Sequence, residues 1–238
     1  MMMRRTTVAA GLGLLALGGL AFPAHAQSTC TVNGVPASGA DIRGTEGADT
    51  ITCSLVLAGT VVDALGGVDT ITVTGPVSGQ VRAGNGADVL TVAATGRIGQ
   101  GGSLDGQFDD DRFEVHGAVA GAVRGGQHND DIQLHPTSDV EATGDVRGAR
   151  GVDTITVDRG ALVLGLVEGN QEGDTLVITT VAAGGRVRGD DGNDHITVRA
   201  NQGEVDAGAG TDTCRIAGNP PLNCENVGPP PPLPAAVN

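Results

Sequence analysis

The chain has 238 residues, including 40 glycines, 11 prolines and three phenylalanines, with no tryptophan or tyrosine. Aromatic side chains dominate most cores, so this composition excludes an ordinary globular packing. Fourteen basic residues, none of them lysine, against 28 acidic ones give a formal charge of −14; this argues against nucleic acid or an anionic membrane as partner and favours cations.

In chain order, Met1–Thr7 carries Arg4 and Arg5, Val8–Phe22 is apolar, and Ala24-His25-Ala26 fits a small-x-small cleavage site. Residues 1–26 therefore read as a secretory signal peptide, with an apolar run too short for a membrane anchor. Its loss removes two arginines and takes the charge from −14 to −14 − 2 = −16. Residues 27–40, with Cys30 and Pro36, read as an N-terminal cap. A repeat fills 41–217, and 218–227, with Pro220, Pro221 and Cys224, reads as a C-terminal cap. The Pro-rich 228–238 is expected to be an extended tail.

The repeat places one aspartate at a fixed position in nine copies: Asp49, Asp69, Asp88, Asp111, Asp130, Asp153, Asp174, Asp194 and Asp212, spaced 18 to 23 residues apart. Seven residues before each stands an aliphatic, from Ile42 and Val62 to Val187 and Val205. Two and four residues after it stand pairs such as Ile51 and Cys53, Ile71 and Val73, Phe113 and Val115, and Ile196 and Val198. That alternation is a strand with one buried face, and a period near twenty is a solenoid, because a single coil cannot bury its own apolar side. The expected fold is all-β: a parallel β-helix or β-roll of about nine coils. The intervening threonines, such as Thr50, Thr52, Thr70, Thr72, Thr154 and Thr156, face out. Longer arcs at 93–102 and 135–145 are expected to bulge.

Glycine or alanine stands five residues before each aspartate, and glycine usually two before, as at Gly47, Gly67, Gly86, Gly151, Gly192 and Gly210. Both columns are expected to supply positive φ and close approach between coils. Stacking also decides the cysteine pairing. Eight steps of about 4.8 Å separate the ends by about 38 Å, far beyond a disulfide, so Cys30 pairs with Cys53 and Cys214 with Cys224. The histidines share no ligand spacing and are expected to be surface residues. No Gly-x-Ser-x-Gly, His-Glu-x-x-His or phosphate loop is present.

Nine stacked carboxylates about 4.8 Å apart raise one another's pKa or require a cation. Calcium takes six to eight oxygens from carboxylates and carbonyls in flexible geometry. Gly189-Asp190-Asp191-Gly192-Asn193-Asp194-His195-Ile196-Thr197 comes close to the Gly-Gly-x-Gly-x-Asp-x-apolar-x nonapeptide, with near matches around Asp88, Asp130 and Asp212.

On those residues, 41–216 resembles the RTX, or hemolysin-type, calcium-binding repeat proteins. It has one loop per coil of about twenty residues, where that family usually has two per coil of about eighteen. The resemblance implies calcium ions as cofactor, held best around the eighth copy. There Asp174, Asp190, Asp194 and Asp212 meet the carbonyls of Gly192 and Gly210, while Asp191 points to solvent. Asp49, Asp69, Asp88, Asp111, Asp130 and Asp153 are candidate ligands in the other copies. The expected function is a secreted, calcium-binding, non-catalytic solenoid serving as an extracellular structural, surface or adhesive module, with cell-surface or matrix components as partners. Two alternatives are an enzyme of the β-helix type acting on acidic polysaccharide and an ice-binding solenoid. The near absence of aromatics argues against the first. Arg112, Glu114, Asp131 and Gln133 interrupt the outward threonine rows that the second needs.

Overall fold

A computed structural model describes residues 27–229; the signal-peptide reading and nearly all of the tail lie outside the described residues. Among these residues there is no helix. Each coil contributes a strand to each of two parallel sheets, in strict sequence order.

The front sheet runs through Thr50–Leu55, Thr70–Val73, Val89–Val92, Arg112–Val115, Asp131–Leu134, Thr154–Val157, Thr175–Val181, His195–Asn201 and Thr213–Gly218. The back sheet runs from Asp41–Arg43 and Val61–Asp63 to Arg186–Asp191 and Glu204–Ala209, with nine strands in all.

The register is that of the repeat. Ile51, Ile71, Leu90, Phe113, Ile132, Ile155, Leu176, Ile196 and Cys214 are successive partners in the front sheet. In the back sheet the aliphatics seven residues before each aspartate pair likewise, from Ile42 with Val62 to Val187 with Val205. All of these side chains are buried. Each buried Val, Ile or Leu contributes about 1.5–3 kcal/mol, and does so only because a neighbouring coil covers it.

The third side of the coil, loosely patterned in sequence, is closed by one buried aliphatic per coil. Val56, Val77, Ile98, Val119, Val140, Val163 and Val181 form a column of parallel bridges and a short strand pair. Glycine precedes the back-sheet strand in seven coils, for example Gly185, where a Cβ would lie 2.1 Å from the Val163 carbonyl of the previous coil. A side chain there would push the coils apart. In the two longer arcs Ala94, Thr95, Gln100 and Gly101, and Pro136, Thr137, Ala142 and Thr143, are exposed.

Both ends are closed by non-repeat chain. Thr29–Val32 and Val35–Ser38 form a hairpin laid antiparallel on the first front strand, with Cys30 bonded to Cys53. At the other end Asn226–Gly228 adds a parallel strand and Cys214 is bonded to Cys224. Both disulfides are the pairs that coil spacing selects.

The outer face of the back sheet holds a charge ladder. Six residues before each aspartate stand Arg43, Asp63, Arg82, Asp105, Arg124, Arg147, Glu168, Arg188 and Asp206, in register coil by coil. The signs alternate except where Arg147 follows Arg124, and Arg147 there takes Asp145 as a partner at 2.8 Å.

Candidate metal centre: an internal column of aspartates

The turn from back sheet to front sheet brings each fixed aspartate inside the corner. Asp69, Asp88, Asp111, Asp130, Asp153, Asp174, Asp194 and Asp212 are all at most 2% exposed. One oxygen of each is used along the stack. The amide of Asp49 donates to Oδ1 of Asp69, that of Asp69 to Asp88, and so on to Asp194 and Asp212, every bond 2.7–2.8 Å. The Asp212 amide then donates to Glu225 Oε2 at 2.9 Å, so Glu225 takes the place of a tenth aspartate.

The second oxygen is unspent. Oδ2 of all eight aspartates from Asp69 to Asp212 is buried without a hydrogen-bond partner. A buried acceptor left unpaired costs about 1–3 kcal/mol, and more when charged, and eight in one row are not scattered defects.

Where glycine stands five residues earlier, Oδ2 faces it. A Cβ on Gly106, Gly148, Gly169 or Gly189 would lie 2.1 Å from Oδ2 of Asp111, Asp153, Asp174 or Asp194. The carbonyl oxygen of the next coil converges on the same space, 2.4 Å from that point for Gly125 O at Gly106 and 2.3 Å for Ala207 O at Gly189. These glycines leave room for oxygens. They do not supply positive φ, which corrects the sequence expectation for this column.

Positive φ falls instead four and two residues before each aspartate. In eight coils both positions are left-handed, and non-glycine residues often occupy them: Leu65, Gln107, Ala149, Asn170 and Asp190 at the first, Asp109, His128 and Glu172 at the second. Such residues each cost about 1–2 kcal/mol, and strain of this kind collects where a ligand loop needs it. Only the column two residues before was legible as glycine. There the Gly192 carbonyl points along the stack, 1.5 Å from where a Cβ on Gly210 would sit.

The first coil differs. Asp49 Oδ2 accepts from the Thr45 amide and hydroxyl and Oδ1 from Asn33 Nδ2, and neither Thr45 nor Gly47 has positive φ. Asp49 is thus satisfied by the chain. Asp190 lies beside the column, not within it: it is half-buried, accepts from Asn170 Nδ2 at 3.0 Å and lines an open groove with Arg147, Arg150, Gln171 and exposed Asp191.

Electrostatics follow this geometry. Burial pushes the carboxyl groups of Asp111, Asp130 and Asp174 up to about 8, Asp88 to about 7, and Asp153 and Asp194 to about 6, with Asp69 also raised. Neighbouring carboxylates add to the rise; the amide bond along the stack opposes it. At Asp49 burial also pushes up, but the bonds from Thr45 and Asn33 outweigh it and the group falls below its usual range. An all-oxygen donor set of carboxylates and carbonyls suits a hard divalent cation and would hold the carboxylates ionised.

The histidines lie at the surface, and two of them meet there. His116 and His135, on adjacent coils, stack with ring centroids 3.9 Å apart.

Fold and site together define an all-β parallel solenoid with an internal carboxylate column. No family model and no curated protein matches the chain. Among solved structures, a hyperactive, Ca2+-dependent, beta-helical antifreeze protein from an Antarctic bacterium is similar to it in fold. The TM-score is 0.55 at 23% identity, over 75% of this chain and 52% of that one, so the chain spans about half the length of that protein.

Proposed function

We propose that the chain is a calcium-stabilised, exported β-solenoid, a degenerate relative of the RTX repeats, that acts through its surface and not by catalysis. The observation that carries this is the row of eight buried Oδ2 atoms without partners. The strained loops that hold them, and the calcium dependence of the similar antifreeze protein, support it. Two disulfides and a leader-like 1–26 favour an extracellular setting. Phe113 is fully buried and Phe108 is 41% exposed, which leaves little aromatic surface for stacking sugars.

The test is melting with and without calcium. Binding to the folded chain alone adds about 2.7 kcal/mol per site at a hundred times Kd, so a chelator should lower Tm by many degrees and magnesium should restore little. Asp194→Asn keeps the Oδ1 acceptor but removes a charge, and should reduce the calcium-dependent rise. Asp63→Ala, in the outer charge ladder, should leave that rise intact. A Tm indifferent to chelator overturns the reading.

Ice binding is the second reading, favoured by the outward rows of Thr50, Thr52, Thr70, Thr72 and Thr91 at one end and Thr154, Thr156, Thr175, Thr197 and Thr213 at the other, together with the similarity to the antifreeze protein. Arg112 bonded to Glu114 and Asp131 breaks the face between them. Thermal hysteresis of the calcium-loaded chain, lost in Thr72→Tyr, would support it; no hysteresis rules it out.

A further inference from the structure

The centre of the front sheet carries a second cluster of metal-ligating side chains, with donor chemistry unlike that of the internal column. Glu114 and His116 are two residues apart at the end of one strand, so both project from the outer face. Register with the next coil pairs Glu114 with Gln133 and Val115 with Leu134, which sets His135 beside His116. The amides of His116 and His135 donate to the Val92 and Val115 carbonyls at 2.8 and 2.9 Å, fixing both backbones in the stack.

We propose that Glu114, His116 and His135 bind a borderline divalent transition ion, with Zn2+ as the representative, at a site separate from the internal column. One ligand atom from each residue lies within 4.8 Å of the others. His135 Nε2 is 2.6 Å from Glu114 Oε2, and its other ring nitrogen, Nδ1, is 3.5 Å from Asp158 Oδ2 on the following coil, so Asp158 can hold the ring from its far side while water completes the ion's shell.

The Glu114 carboxylate is already oriented. Arg112 Nε and Nη2 both donate to Oε1, leaving Oε2 turned to His135. An outer-shell partner of this kind is what fixes a ligating carboxylate. The side chains of Glu114 and His135 are 21% and 25% exposed, open enough for an ion to enter.

Two imidazoles with one carboxylate suit zinc, copper or nickel, whereas calcium prefers oxygen alone. Tetrahedral zinc needs ligand atoms about 2.0–2.2 Å from the metal, so the stacked rings must rotate to converge. Both sit at the surface, where such rotation is cheap. The bound ion would tie the fourth coil to the fifth, at the place where charged residues replace the outward threonines.

The experiment uses the full chain in saturating calcium, titrated with Zn2+ alone by calorimetry and with Co2+ by visible absorption. The expected result is one ion per chain, the intense Co2+ absorption of a four-coordinate site, and a rise in Tm with zinc. His116→Ala and His135→Ala should each weaken binding by at least about tenfold. His195→Ala, a surface histidine on the same sheet, should leave zinc affinity unchanged. Unaltered zinc-free Tm in calcium confirms that the variants fold, and His135→Gln replaces the alanine variant if that one melts early. The proposal is overturned if no saturable zinc binding is seen, or if binding survives loss of both His116 and His135. Because calcium is saturating throughout, failure here leaves the calcium reading untouched, and failure of the calcium reading leaves this test valid.

Discussion

Removing divalent cations should make the solenoid's stability fall as pH rises, with the opposite sign to that of most carboxylates. A salt-bridged aspartate has a depressed pKa and stabilises above it. Here the folded values are raised: about 8 for Asp111, Asp130 and Asp174 and about 7 for Asp88, against an ordinary aspartate value of 3.8. The folded chain therefore keeps protons that the unfolded chain has released. Stability is fully present below about pH 4 and is lost as pH rises through the folded values near 7 to 8.

Each retained proton is worth about 1.4 kcal/mol per pH unit. At about 2–4 °C per kcal/mol for a domain of this size, one such proton lowers Tm by about 3–6 °C for each unit. Melting followed by circular dichroism from pH 5 to 8.5 in chelator should show at least this slope. In saturating calcium the slope should flatten or reverse, because the cation binds the ionised form. Calcium titration at pH 7 in buffers of different ionisation heat should show proton release. A chelated protein whose Tm is flat across this range refutes the argument, since the column would then not hold buried, proton-retaining carboxyl groups.

Three further outcomes follow from the packing. Gly210→Ala should destabilise by about 3 kcal/mol or more, because its Cβ would meet the Gly192 carbonyl at φ +158°. Gly184→Ala, at φ +90° with no atom within 4 Å of the added carbon, should cost only about 1–2 kcal/mol; denaturant melts compare the two. Glu168→Gln removes a carboxylate that is 6% exposed and lies between Arg147 at 3.3 Å and Arg188 at 3.5 Å. With both arginines over a third exposed, the loss should be about 1–2 kcal/mol, smaller in high salt. Cys214→Ser with Cys224→Ser should cost about 2–4 kcal/mol and speed amide exchange in the last coil before the others.

Most of the architecture was legible because a solenoid turns sequence separation into spatial adjacency. A residue's neighbours are those about twenty places away, so the aliphatic columns, the strand faces and both disulfides could be read from alignment of the copies alone. What escaped has two causes. The backbone state four residues before each aspartate carries no residue-type signal, since Leu65, Gln107, Ala149, Asn170 and Asp190 adopt it under the constraint of the stack. The outer columns, by contrast, do carry a residue-type signal, but only in alignment by coil: the charges from Arg43 to Asp206, and His116 and His135 five residues after their aspartates. Counted along the chain, His116 and His135 are 19 residues apart; counted around the coil, they are neighbours.

The first coil supplies an internal control for the other eight. At Asp49 the Thr45 amide and hydroxyl reach Oδ2, Asn33 reaches Oδ1, and the carboxyl group is held below its usual range. From Asp69 onward positive φ four residues before the aspartate accompanies an Oδ2 with no partner, while Oδ1 keeps its bond along the stack. The two oxygens therefore have separable roles. Oδ1 can accept from the preceding amide whether the group is ionised or neutral, so the stack can survive without a cation at low pH. Oδ2 needs a proton or a cation, and the pH decides which. A fold conditional in this way would be weak in calcium-poor neutral surroundings and firm where calcium is abundant, which is why the chelated melt at high pH, and not at pH 5, is the informative measurement.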